Sequence, residues 1–149
     1  MLTIHKLRTN AEIAAAFPLA SMLRDRIAAG TFLAEVRRQQ LQGYELIGAF
    51  DGGALVALAG IRRTHTLSRG EHLFVDDLVT DERARGVGHG AALMRWLAER
   101  AADEGIERIY LDSRSTAKGF YEGLGFTFQT AIPCWLDIPK FLAEGRSVL

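Results

Sequence analysis

One cysteine, three prolines and no net charge: each scarcity closes off a class of protein. Cys134 stands alone, so the chain has no internal disulfide and no cysteine-based zinc cage. The residue reads as a small, semi-buried hydrophobe. Eighteen basic residues balance eighteen acidic ones, which argues against a nucleic-acid binder with its basic excess. No stretch approaches the ~18 apolar residues of a membrane span, and the opening MLTIHKLRTNAEI lacks the apolar core of a signal peptide. Repeats, low-complexity tracts and linkers are missing too. What remains is 149 residues, 48% apolar and 24% charged, enough to bury a core without staples. The expectation is a single cytoplasmic domain over residues 1–149, with no membrane and no nucleic-acid partner.

The apolar pattern supplies the elements. Leu2 to Leu7 alternate as in a half-buried strand. Residues 10–41 read as helix in two pieces, punctuated by Pro18 and Gly30, with Thr31 as a cap and Phe32, Leu33 and Val36 as an apolar stripe. YELIGAF and ALVALAGIRR flank an Asp51-Gly52 turn, the clearest hairpin signal in the chain. EHLFVDDLVT, residues 71–80, is a further strand entered through SRGE. Leu93, Trp96, Leu97 and Ala101 recur at helical spacing and stop near Gly105. ERIYLDS (107–113) is a short buried strand. TAKGFYEGLGF (116–126) is a brief helix closed by Gly123 or Gly125, with Phe120 in the core. TFQTAIPCWLDI (127–138) offers a last strand or hairpin broken at Pro133. The order predicts an α+β fold: a mixed, mostly antiparallel central sheet of six to seven strands with helices on both faces.

Between the strand at 71–80 and its following helix lies RARGVGHG. Glycine costs conformational order, so bare backbone is needed there. A strand running through such a loop into a helix leaves several N–H groups unpaired at the helix N-terminus, and the helix dipole adds to their pull on an anion. A Walker loop requires Gly-Lys followed by Ser or Thr, which this stretch lacks. A dinucleotide fingerprint requires G-x-G-x-x-G, and although Asp112 ends the next strand, the spacing here is G-x-G-x-G and the loop lies past the midpoint of the chain. A tight turn eased by glycine is the bland alternative.

The stretch resembles the acetyl-CoA loop of the GNAT N-acetyltransferase superfamily, Gln/Arg-x-x-Gly-x-Gly/Ala, with Arg85, Gly88 and Gly90 in place. A second register would use Arg83, Gly86 and Gly88. Downstream, LDS…AKGFYEGLGF looks like the family's next strand, its tyrosine-bearing helix and its Leu-Gly-Phe return, so the resemblance covers about the last half of the chain. It implies that the pyrophosphate of acetyl-CoA lies on the amides of Arg85, Gly86, Val87, Gly88, His89 and Gly90. It implies a strand splayed from its parallel neighbour, with the main chain of Leu78, Val79 and Thr80 holding the pantetheine arm and stabilising the oxyanion. No metal is implied. Where many members carry an asparagine against the cofactor, this chain has Arg114; the readings are that Arg114 reaches a phosphate, that Ser115 replaces the amide, or that the loop is shifted.

Acyl transfer to an amine expels a thiolate, and a phenol in an apolar slot is a fit proton donor to it. With the resemblance, Tyr121 is the expected general acid. Asp76 and Asp77 are adjacent carboxylates in an apolar strand, so alternation sends them to opposite faces. The resemblance makes Asp76 the first choice of base for the acceptor ammonium, directly or through a water, and Asp77 the reserve. His65 and His72 flank a turn with no acid partnering them at metal-ligand spacing. The expected reaction is transfer of an acetyl group from acetyl-CoA to a primary amine of a small molecule or peptide, with a homodimer possible. The alternative is a scaffold that binds CoA or a protein partner without efficient catalysis. Acceptor specificity is expected from residues 17–43 and 63–71.

Overall fold

The longest strands form a hairpin. In the computed structural model, which describes residues 1–145, β1 (Leu2–Lys6), β2 (Tyr44–Asp51), β3 (Ala54–Thr66), β4 (Gly70–Thr80) and β5 (Ile109–Leu111) make one sheet in the order β1-β2-β3-β4-β5. The first four pair antiparallel, and β5 joins β4 in parallel. The expected turn after Asp51 is a two-residue connection at Gly52-Gly53, both with left-handed φ. Among the described residues the sheet has five strands, fewer than the six to seven expected, in the same mixed architecture.

Residues 10–41 hold three helices rather than two: α1 (Asn10–Ala15), α2 (Phe17–Leu23) and α3 (Ala29–Gln40). Thr9 and Glu12 open α1 with a reciprocal cap. The Thr9 hydroxyl accepts the Glu12 N–H at 3.1 Å, and the Glu12 carboxylate accepts the Thr9 N–H at 3.0 Å. Pro18 falls in the first turn of α2, where its missing N–H costs nothing, so it starts a helix of its own. Ala28 caps α3 and Thr31 lies inside its first turn, so Thr31 is not the cap that was expected.

Side chains alternate across the strands. Tyr44, Leu46, Leu58 and Val79 turn to one face and pack with Leu7, Ile13, Leu19, Phe32 and Val36 from the side of α1–α3. The alternate set, Ile47, Ala57, Ala59 and Ile61, is buried on the other face. There α4 (His89–Asp103) packs on β3 and β4. Its buried stripe is Leu93, Met94, Leu97 and Ala101. Met94 takes the place expected of Trp96, which is only half-buried beside Arg100. Each large apolar side chain removed from water contributes about 1.5–3 kcal/mol, so the two faces together hold β4 between helices.

The chain divides into two compact units, Met1–Arg114 and a second that begins at Ser115. All five strands belong to the first. The second opens with a 3₁₀ turn, Ser115–Ala117, continues into α5 (Lys118–Gly123) and later carries α6 (Ile138–Ala143). The strand or hairpin expected over residues 127–138 is not there: residues 127–137 have no regular structure. Pro133 removes a ladder donor, and Asp137-Ile138-Pro139 is a helix start, with the Asp137 carboxylate accepting the Lys140 N–H at 3.0 Å. Cys134 is exposed, not semi-buried, and Phe120, expected in the core, is 40% exposed.

Candidate active site

β4 positions the chemistry because two irregularities break its ladders. Pairing with β3 runs Gly60↔Asp77 and then Ile61↔Val75, which makes Asp76 the extra residue of a bulge. Pairing with β5 covers only Leu73, Phe74 and Val75. Residues 76–80 therefore run on beyond the last rung to β5, bonded to β3 on one side, and alternate main-chain groups of Asp76, Asp77, Leu78, Val79 and Thr80 turn away from β3. The resemblance implies a splay at this point; in the structure the pairing ends at Val75↔Leu111, where β5 itself ends.

The bulge also overturns the expectation that Asp76 and Asp77 point to opposite faces. Both reach the α1–α3 side. Arg62 of β3 donates to both carboxylate oxygens of Asp76, at 2.7 and 2.8 Å. Its cross-strand partner Tyr44 donates its hydroxyl to Asp77 at 2.8 Å. Arg24, just past α2, donates Nε to the other Asp77 oxygen at 2.9 Å and Nη2 to the main-chain oxygen of Asp76 at 2.7 Å. Burial, then the neighbouring Asp77 anion, push the Tyr44 phenol far above its usual range, so it stays a donor. Bonds to Asp76 in turn raise the Arg62 guanidinium.

Gly60 makes this network possible. A Cβ there would lie 1.9 Å from the Tyr44 hydroxyl oxygen and 2.6 Å from an Asp77 carboxylate oxygen, so the phenol–carboxylate bond crosses bare backbone. Gly60→Ala is expected to expel the hydroxyl, orphan an Asp77 oxygen and cost about 1–2 kcal/mol in urea unfolding. A variant within ~0.5 kcal/mol of the parent would show that the network tolerates displacement.

After β4 the chain enters a 3₁₀ turn, Glu82–Ala84, closed by the Asp81 carboxylate, which accepts from the Arg83 N–H and guanidinium. Arg85 donates Nε to the Thr80 carbonyl at 3.3 Å. Gly86 and Gly88 both have φ of +85°, a region L side chains avoid, and a Cβ at either would meet nothing within 4 Å. Gly88 caps α4 without a side chain, so the N–H groups of His89, Gly90 and Ala91 have no partner within the helix. Val87 is exposed and His89 half-buried. The result is open space beside bare backbone at the positive end of a 15-residue helix, a fit for a phosphate-bearing ligand.

Arg114 donates to the Leu23 carbonyl at 2.8 Å, at the end of α2. A cleft of about 310 Å³, lined in part by Pro18, Leu19, Met22, Leu55 and Asp81, opens beside α2. His72 is buried with Nδ1 2.8 Å from the Gly70 oxygen, and His65 is exposed. Among the described residues no three His, Cys, Asp or Glu side chains are grouped to hold a metal, and no helix is long and apolar enough to cross a membrane.

In the second unit Tyr121 is 8% exposed, its ring edge-on to Phe126 at 5.2 Å. The Phe126 N–H closes the turn on the Tyr121 carbonyl at 3.0 Å. Burial raises the Tyr121 phenol above its ordinary value, so it is protonated at neutral pH. Sequence reasoning missed Tyr44, Gly60 and Arg62, and held Arg24 only as part of the 17–43 segment expected to set acceptor specificity. Only Gly60 left a signal, a lone glycine inside a strand pattern, which marks a bulge or a close approach.

The sequence model of the Acetyltransferase (GNAT) family matches residues 15–126. An uncharacterized N-acetyltransferase of Bacillus subtilis (strain 168) is 30% identical over 135 residues, 87% of this chain and 95% of that one. The crystal structure of a Trypanosoma brucei acetyltransferase superposes with a TM-score of 0.74 at 25% identity, over 92% of this chain and 99% of that one. A predicted acetyltransferase of Clostridium acetobutylicum, solved with acetyl-CoA, has the same fold: TM-score 0.72 at 15% identity, over 94% and 98% of the two chains.

Proposed function

The chain belongs to the GNAT acetyltransferase family, and on that premise we propose that it moves an acetyl group from acetyl-CoA to a primary amine of a small molecule or protein N-terminus. Residues 1–149 work as a single catalytic domain, and the amine attacks directly in a ternary complex. The observation that carries this reading is the bare-backbone loop of Gly86 to Gly90 at the head of α4, reached from a strand that runs on past its last rung to its parallel neighbour. Acetyl-CoA supplies the activated acyl group as a thioester. The chain's own groups do the rest. The amides of residues 85–90 receive the pyrophosphate, with Arg85 as the neighbouring cation; Arg114 serves the cofactor's phosphates only by leaving the Leu23 carbonyl it now holds. The main chain of Leu78, Val79 and Thr80 holds the pantetheine arm, and an N–H near Val79 and Thr80 donates to the oxygen where negative charge develops.

Asp76 takes the proton of the acceptor ammonium, directly or through a water, with Asp77 in reserve. Each Asp76 oxygen spends one lone pair on Arg62 and keeps another for that proton. Tyr121, raised by burial and hence protonated, donates its proton to the departing thiolate. The acceptor enters from the α2 side, where both carboxylates face and the cleft beside Pro18 and Met22 lies. Gly88→Val is expected to raise the acetyl-CoA dissociation constant at least tenfold, ~1.4 kcal/mol, because it strains a φ of +85° and fills the space beside the amides. Calorimetric titration of the folded variant is the check. Unchanged affinity would remove the pyrophosphate from this loop.

A further inference from the structure

Arg24 differs from the other members of the bulge network. Tyr44 and Arg62 stand on β2 and β3, fixed by the ladder, whereas Arg24 hangs from the irregular end of α2 with extended backbone. Asp25 and Arg26 beside it are exposed, and its own side chain is 44% exposed. Its guanidinium nevertheless spans two acceptors, Asp77 Oδ1 and the main-chain oxygen of Asp76, at 2.9 and 2.7 Å.

Those acceptors do not need Arg24 to stay in place. The other oxygen of Asp77 is fixed by Tyr44 across Gly60, and the Asp76 carbonyl is fixed by the bulge. The charges separate as cleanly. Asp76 and Arg62 form a bidentate, neutral pair, and Tyr44 is an uncharged donor. Take Arg24 away and one negative charge is left, on Asp77, with a carbonyl beside it. That combination suits one monocation with at least two N–H donors.

We propose that Arg24 is a displaceable internal occupant of the place where the acceptor cation binds, and that it thereby sets the affinity for a monocationic primary amine. The acetyl-transfer reading is used only to identify that cation. An ammonium has the donors to meet both acceptors, and the displaced guanidinium has solvent within reach. Binding then exchanges one ion pair for another at a half-exposed site, so a resident arginine lowers the apparent affinity of every incoming amine. Amines that add contacts along α2 overcome the competition, which makes Arg24 a filter on acceptors.

Methylguanidinium, a small copy of the arginine head, is the probe. Folded Arg24→Ala protein is expected to bind it saturably, at least about tenfold tighter than the parent does. Adding Asp77→Asn to that variant is expected to abolish the gain. Arg24→Lys keeps an occupant and is expected to resemble the parent. In turnover with acetyl-CoA and simple primary amines such as n-butylamine, Arg24→Ala is expected to lower the amine KM several-fold, with the acetyl-CoA KM nearly unchanged. A residue that merely braced α2 would raise the amine KM instead. Absence of saturable methylguanidinium binding in folded Arg24→Ala, or an amine KM unchanged or raised, overturns the proposal. If the alanine variant does not fold, Arg24→Met keeps the stem and carries the same expectations. If the parent turns over no amine, the acetyl-transfer reading fails, and methylguanidinium binding with its dependence on Asp77 still decides whether Arg24 is an occupant.

Discussion

Tyr121→Phe is expected to slow the chemical step at least a hundredfold while leaving the protein folded. The substitution removes one hydroxyl and keeps the ring that stands edge-on to Phe126 at 5.2 Å, so packing changes little. A positioned general acid contributes about 10²- to 10⁴-fold, which at the lower bound is ~2.7 kcal/mol of barrier. The acetyl-CoA dissociation constant is expected to move far less, because the hydroxyl's main partner is a sulfur that gains its charge only as it leaves. Slow product release would hide the effect in steady-state turnover, so single-turnover rates are the comparison. The raised phenol also fixes the sign of the pH dependence: the acid stays competent through the neutral range and well into the alkaline one. A folded variant whose single-turnover rate stays within threefold of the parent would return Tyr121 to the core.

The second large effect is expected from Asp76→Asn. An amide cannot take the ammonium proton, so single-turnover acetyl transfer is expected to fall about a hundredfold. The deficit is deepest at low pH, where the amine arrives protonated, and shrinks as the pH rises toward the amine's own pKa and free amine supplies itself. Acetyl-CoA affinity is expected to stay within a few-fold, since the loop amides are untouched. Arg62 loses its bidentate partner in this variant, but it is partly exposed, so water takes over the freed donors. A larger loss of kcat at saturating amine in Asp77→Asn would exchange the two roles. Full activity in both would leave the proton to a water acting alone.

The parts of this account that were legible in the sequence are the local ones. The strand at 71–80, the glycine loop and the α4 stripe follow from patterns confined to a few consecutive residues, and each element stands where those patterns put it, with Met94 in place of Trp96 in the stripe. The bulge network follows from nothing local. Asp77 meets Tyr44 from 33 positions away and Arg24 from 53, and both contacts exist only because β2, β3 and α2 converge on β4. Alternation failed at Asp76 for a related reason, since an extra residue in one strand shifts the face of its neighbours without any change in hydrophobic pattern. At residues 127–138 a weak strand pattern lost to Pro133 and to the stronger helix start at Asp137 to Pro139. Phe120 faltered because a six-residue helix has room for few buried positions, and Tyr121 takes one.

The most direct test of the central claim follows both products of one incubation, CoA thiol and acetylated amine, with acetyl-CoA and a panel of primary amines, in the parent and in Gly88→Val. The account predicts thiol release matched one-to-one by acetylated amine for at least one member of the panel. At subsaturating acetyl-CoA the rate should fall at least tenfold in Gly88→Val and recover as acetyl-CoA is raised. Acetyl-CoA bound tightly by the parent, with no thiol released above the amine-free background across the whole panel, would contradict it and leave a binding module in place of an enzyme.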